Sequence, residues 1–352
     1  MSNVVEHKNS DKIKQIARVN KRNHFLDIAK GIAILMVCIT HFSWTSAERL
    51  IGLFPFWISM AVPIFMLVTG YVSAMSFDKK TSGKIKEVYN INSTINKLVR
   101  YTAPFLCMFI VQTILEIELK HREVNLLVWI EYFFKGGFRK YGTYYFPVLL
   151  QLTFLTPLIY WIVKRQKYGI YICFIANLIY EIIKTVCDMD KYTYRLLAFR
   201  FIFAIAIGCY IYLHRNEKDN KINKIIFGIG VLYILLISYS YYKPIIFNKW
   251  KNTSMLTLLY IAPIFNYFIK NKDNLQCKLL ETIGKSSYHI FLFQILYYNY
   301  FAEYINISNR MLKMITGVAI CLVGGYLFNI VYNSILTKIK TTKGVNKHEE
   351  TK

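Results

Sequence analysis

The stretch Phe25-Leu26-Asp27-Ile28-Ala29-Lys30-Gly31-Ile32-Ala33-Ile34-Leu35-Met36-Val37, continuing through Cys38, Ile39 and Thr40 to His41, decides the fold. It is long and apolar enough to cross a bilayer, yet it carries three ionisable side chains. Further apolar runs follow it along the chain. A helix needs about 20 mostly apolar residues to cross a hydrocarbon core of ~30 Å. By that measure ten spans are predicted, near residues 25–45, 56–77, 101–119, 143–163, 168–187, 196–214, 225–242, 253–269, 282–301 and 311–333. The run at 124–134 is too short to span and reads as an interfacial helix, ended by Gly136-Gly137. The expected fold is all-α: a polytopic integral membrane protein of about ten transmembrane helices. Residues 25–335 form the membrane domain, flanked by basic tails at 1–24 and 336–352.

Composition points the same way. Of 352 residues, 55% are hydrophobic and 16% aromatic, an apolar load that a water-soluble domain could not hide. The formal charge of +24 would suit a nucleic-acid partner only if the cations clustered on a soluble domain. They lie instead in short runs between apolar segments, so no nucleic acid is expected. With the N-terminus placed inside, Lys and Arg in the cytoplasmic segments outnumber those outside by roughly two to one, as topology requires. Both termini are then cytoplasmic. No small-residue cleavage site follows the first apolar run, so the first helix is expected to stay in the protein.

The seven cysteines (Cys38, Cys107, Cys173, Cys187, Cys209, Cys277 and Cys321) show neither Cys-x-x-Cys nor Cys/His spacing. They imply no disulfide framework and no metal.

Charge inside a bilayer is expensive, so each intramembrane ionisable residue is a candidate functional group. Lys30 and His41 are eleven residues apart, about 20° from three full helical turns, and so project from one face with ~16 Å between them. Asp27 and Lys30 are either part of that polar stripe or an interfacial ion pair. His41 lies deeper. It is either hydrogen-bonded to a neighbouring helix or the base of a proton-transfer reaction; a neutral imidazole can take a proton from an alcohol and return it to a leaving group.

The first helix resembles the opening helix of the acyltransferase-3 family, integral membrane enzymes that modify surface glycans. In that family a basic residue, usually arginine, is separated by ten residues from a histidine thought to be catalytic. Lys30 takes the arginine's place here, which removes bidentate hydrogen bonding from that position. Further likenesses follow in order. Pro63 to Tyr71 resembles the end of the family's second helix, with Thr69 for the usual serine. Lys97-Leu98-Val99-Arg100 followed by Pro104 resembles a basic pair implicated in holding the acyl donor. Tyr144 to Val148, Arg200-Phe201 with Gly208, and Gly284 to Gln294 resemble later segments, with Gln294 where many relatives carry histidine.

The resemblance implies an O-acetyltransferase in a bacterial inner membrane, moving an acetyl group from cytoplasmic acetyl-CoA to a hydroxyl of a surface polysaccharide such as O-antigen or capsule. His41 is the expected base, Lys30 and Asp27 its partners in catalysis, and no metal is required. Lys97 and Arg100 are one turn apart, and two such cations can clamp phosphates; positive-inside topology alone also explains them. Arg200 has no acid within a turn or two on its own helix, and is expected to meet Asp27, Glu116 or the donor's phosphates. Glu181 and Lys184 read as a neutralising pair, and His289 as a satisfied polar residue. Tyr297, Tyr298 and Tyr300 read as an interfacial belt. The competing class is a transporter or flippase, although no related halves with broken helices are seen in the chain; a glycan polymerase would need a larger outer loop.

Overall fold

The computed structural model describes residues 24–79, 85–138, 142–217, 221–239, 255–271 and 275–349, the last ten by backbone alone. The N-terminal tail up to residue 23 and the side chains of the C-terminal tail beyond residue 339 lie outside the described residues. Helices stand at all ten expected positions, and no strand occurs among the described residues. The protein is an all-α polytopic membrane protein. Six helical stretches are long and apolar enough to cross a membrane: Phe54–Asp78, Ile85–Lys120, Tyr145–Arg165, Gly169–Val186, Lys221–Tyr239 and Arg310–Ile339. Ala198–Leu213 and Met255–Lys270 are apolar but shorter.

The main helices are α1 (His24–Thr40), α2 (Ser46–Ile51), α3 (Ala61–Asp78), α4 (Ile91–Lys120), α5 (Leu126–Phe134), α6 (Tyr145–Arg165), α7 (Gly169–Val186), α8 (Lys191–Leu196), α9 (Ile202–Leu213), α10 (Lys221–Tyr239), α11 (Leu258–Lys270), α12 (Lys278–Lys285), α13 (Ser287–Leu296) and α14 (Arg310–Glu349). The short helix expected at 124–134 is α5. The Gly136-Gly137 break after it places both glycines at positive φ, 83° and 134°, where a side chain would be strained.

Three differences from the expected boundaries bear on the polar residues. Helix α1 ends at Thr40, which leaves His41 on the turn that follows, its N–H still donating to the Cys38 carbonyl. Helix α4 starts at Ile91, because the Asn90 side chain accepts from the Ser93 N–H and caps it. Lys97 and Arg100 therefore ride on the helix, not on the loop before it. The ninth span is broken into α12, α13 and a π-helical turn over Tyr297–Phe301. That extra residue per turn carries Tyr297 and Tyr300 inward, each 3% exposed, so these two are not members of an interfacial belt.

Glycine lets the two tightest crossings form. A Cβ on Gly31 of α1 would overlap the Leu280 carbonyl of α12, and one on Gly284 would overlap the Asp27 carbonyl. Gly70 of α3 and Gly208 of α9 face Ile205 and Leu67 in the same way. Without a hydrophobic driving force between helices in lipid, close backbone approach is how such bundles gain packing energy. These crossings hold α1, α3, α9 and α12 around the interior where the polar residues collect.

Candidate active site

On α1, Lys30 Nζ lies 2.7 Å from Asp27 Oδ1, and Asp27 is buried. The two form the ion pair that was one of the two readings of their spacing. Lys30 keeps 28% of its side chain accessible because it faces open space on both sides.

Two cavities flank it. The first, about 610 Å³, is lined by Lys30, Thr69, Lys97, Arg100, Tyr101 and Leu149, together with Asn90, Ser93 and Asn96 of the α4 end and one carboxylate, Glu87. Lys97 Nζ sits 4.7 Å from the Phe77 ring centroid, and Arg100 is exposed. The second, about 910 Å³, is lined by Lys30, His41, Thr69, Tyr101, Tyr144, Tyr145, Leu149, Arg195 and Arg200, among others. Lys30, Thr69, Tyr101 and Leu149 are common to both. The Thr69 hydroxyl donates to the Phe65 carbonyl at 2.7 Å, and the Tyr101 carbonyl accepts from the Tyr288 hydroxyl at 2.8 Å. The shared wall is thereby tied to α3, α4 and α13.

His41 is held at the far end of the second cavity. Its ring lies 6.0 Å from that of Tyr298, whose hydroxyl donates to the Cys38 carbonyl at 2.8 Å. A Cβ placed on Gly142 would lie 3.6 Å from His41 Nε2 and 3.3 Å from Gln294 Nε2. Gly142, at φ 75°, thus separates the imidazole from a second polar group that the sequence does not single out by spacing. Gln294 is fully buried, and neither its amide nitrogen nor its oxygen has a hydrogen-bond partner.

Arg200 lies with His41 and not with Lys97 and Arg100. It rides on a 3-10 turn, Ala198–Phe201, that Gln151 of α6 clamps: Gln151 Nε2 donates to the Leu196 carbonyl at 2.7 Å and its Oε1 accepts from the Ala198 N–H at 2.9 Å. The expectation that Arg200 meets Asp27 or Glu116 is not realised. Asp27 pairs with Lys30, and buried Glu116 takes Arg122 Nε at 3.0 Å and the Tyr300 hydroxyl at 2.7 Å. The guanidinium is instead surrounded by the rings of Phe201, Tyr194 and Tyr144, at 4.5, 5.0 and 5.8 Å. Just outside the spans, burial and the like charge of Arg200 hold the Arg195 guanidinium below its ordinary value.

Other polar residues resolve structurally. Glu181 and Lys184 both meet Tyr194: its hydroxyl donates to Glu181 at 2.6 Å, and Lys184 Nζ lies 5.0 Å from its ring. His289, read from the sequence as satisfied, has no hydrogen-bond partner on either ring nitrogen and packs against Phe328 and Tyr332. All seven cysteines are free. Among the described residues no three His, Cys, Asp or Glu side chains converge as a metal centre would need.

The family model for the acyltransferase-3 acyltransferase domain matches residues 23–332, the whole helical body that carries both cavities. The chain belongs to the acyltransferase-3 family. It is a multi-pass membrane acyltransferase. No curated protein and no solved structure is significantly similar to it.

Proposed function

We propose that this acyltransferase moves an acetyl group from acetyl-CoA, bound through the 610 Å³ cavity, to a hydroxyl of a surface glycan held beside His41, in a bacterial inner membrane. The observation that carries this reading is the wall shared by the two cavities, with cations at one end and an imidazole at the other. Lys97 and Arg100, with Lys30 further in and the Ser93 and Asn96 side chains as additional donors, offer what a polyphosphate requires. From Lys30 to His41 the helix rises ~16 Å, a distance that suits the long thioester-bearing arm of such a donor.

In this reading His41 takes the proton of the acceptor hydroxyl as its oxygen bonds to the thioester carbonyl carbon. The carbon–sulfur bond then breaks, and the proton returns to the departing thiolate, so His41 ends as it began. Lys30 supplies positive charge near the path and is kept in place by Asp27. The unpartnered amide of Gln294 lies across Gly142 from His41, behind the cavity wall. Bringing donor and hydroxyl together in one cavity contributes most to the rate, because a thioester is already reactive toward an alcohol.

The test is surface-glycan O-acetylation, read by NMR of purified polysaccharide in a deletion strain complemented with the native gene or His41→Ala at equal membrane abundance. Acetyl signals restored by the native protein alone support the reading. Equal restoration by both removes His41 from the mechanism. If glycan export fails without the gene while acetylation is unaffected, a transporter is the better description.

A further inference from the structure

The far end of the His41 cavity is cationic, and no carboxylate lines it. Lys191 and Arg49 are exposed at its rim, Arg195 is half-buried below them, and Arg200 is 8% exposed at depth. Of the acids nearby, Glu48 holds Arg310 at 3.1 Å and Asp190 accepts from the Tyr192 and Thr193 N–H groups to cap α8, while Glu181, hydrogen-bonded to the Tyr194 hydroxyl, lies near enough to act on Arg200 but sets one charge against two guanidinium groups.

Two of these cations converge. Arg195 and Arg200 lie 5.9 and 5.8 Å from the same ring, that of Tyr144, and Arg200 Nε is buried without a hydrogen-bond partner. Solvation explains Lys191 and Arg49, which reach water, but not Arg200. Topology does not explain the group either, since the loop carrying Lys191 and Arg195 falls on the side that the charge bias depletes of cations. Like charges gathered on a confined cavity raise its potential and concentrate anions there. Guanidinium groups are the side chains best shaped to grip a phosphate or carboxylate.

We propose that Arg195 and Arg200 bind a phosphate or carboxylate group of the acceptor glycan, so that the sugar acylated beside His41 is itself anionic or is joined to an anionic group. The site's place in catalysis rests on the function proposed above; its anion binding does not.

The test uses the full chain purified into nanodiscs of phosphatidylcholine, with equilibrium binding of glucose 1-phosphate, glucuronic acid, glucose and, separately, coenzyme A. Both anionic sugars are expected to bind about tenfold or more tightly than glucose and to weaken with salt. Arg195→Gln and Arg200→Gln are expected to lose that preference, and Arg200→Lys to keep part of it, while coenzyme A binding stays within about twofold of native. A monodisperse gel-filtration profile and a native-like unfolding midpoint show that each variant is folded. The inference is overturned if glucose binds as well as the anionic sugars, if neither anionic sugar binds to protein that still takes coenzyme A, or if the variants bind them like native. It is also overturned if Arg200→Gln loses coenzyme A instead, which would assign these cations to the donor, or if phosphatidylglycerol in the disc displaces the sugars stoichiometrically, which would make the site one for lipid headgroups. Arginine-dependent binding of the anionic sugars with no binding of coenzyme A leaves the anion site standing and removes the acyltransfer reading instead.

Discussion

Lys30 lines both cavities, whereas His41, eleven residues further along the same wall, lines only one. The first helix therefore joins the cationic cavity to the histidine, and Lys30 stands where the two spaces meet. Its charge is anchored by Asp27 at 2.7 Å. Replacing Lys30 by Met removes the charge but keeps the apolar stem, and is expected to lower acetyl transfer about tenfold or more while Lys30→Arg retains most of it. Asp27→Asn leaves a partly buried ammonium without its partner, so it is expected to destabilise the protein, whereas the double change Asp27→Asn with Lys30→Met recovers stability without recovering activity. Thermal unfolding in detergent beside a radiolabelled transfer assay separates the two effects. A double variant that regained activity would make the pair purely structural.

His41 sits on a turn beyond the end of its helix and is not fully buried. Its loss should leave folding nearly intact. His41→Ala is expected to reduce turnover by about 10²–10⁴, the usual worth of a general base, with the donor's KM little changed. His41→Gln, which keeps a hydrogen-bonding group of similar reach but cannot carry the proton, should be equally impaired. Substantial activity in the glutamine variant would reduce His41 to a positioning residue.

Lys97 and Arg100 are separated by one turn of α4 and face the cavity opposite to that of Arg200. Charge-assisted bonds to a phosphate contribute roughly 1.5–3 kcal/mol each. Lys97→Gln and Arg100→Gln are each expected to raise the KM for acetyl-CoA about tenfold or more, with a smaller effect on kcat, and the native KM should rise with ionic strength. If kcat fell in both variants while KM held, these cations would not be the donor's grip.

How much of this was legible beforehand depends on which interactions stay within one helix. Asp27 and Lys30 lie three apart on one helix, so their pairing follows from spacing, and His41 continues the same face on the turn that ends it. Lys97 and Arg100 were legible as a basic pair one turn apart but not as part of the spanning helix, because the Asn90 cap that starts α4 early is a local side-chain contact easily outweighed by the apolar pattern downstream. The partners of Arg200 were not legible. Beyond its neighbour Phe201, its rings come from the α8 segment and from Tyr144, and the turn that carries it is fixed by Gln151 from a third element. Tyr300 reads by composition as a belt residue, and only the π-helical turn brings its hydroxyl to Glu116. Tertiary hydrogen bonds between spans leave no periodic trace.

The glycine crossings set a limit on substitution that composition hides. A methyl group on Gly208 would overlap the Leu67 carbonyl, and one on Gly284 would overlap the Asp27 carbonyl. Overpacking of this kind typically costs about 1–3 kcal/mol, and more when the neighbour is backbone. Gly208→Ala and Gly284→Ala are expected to lower the unfolding midpoint and membrane abundance. Gly228→Ala, where a Cβ meets nothing within 4 Å, should be neutral or mildly stabilising. Equal tolerance at all three positions would mean that α3/α9 and α1/α12 are not packed backbone to backbone.

Gln294 offers the sharpest separation of stability from activity. Both polar ends of its amide are buried and unpartnered, an arrangement that costs about 1–3 kcal/mol in a resting protein. Nothing in the helical packing requires an amide there, since its helix neighbours Phe291 and Ile295 are apolar and equally buried. Gln294→Leu keeps the volume and removes the unpaired groups, so the unfolding midpoint should stay level or rise. If the amide serves the reacting groups across Gly142 from His41, acetyl transfer should fall about tenfold or more in that same variant, because the hydrogen bonds it makes form only with the substrates in place. The comparison is thermal unfolding and single-turnover acetyl transfer on one preparation. A loss of stability would mean that the amide is satisfied in the resting protein, and unchanged transfer would remove Gln294 from the site.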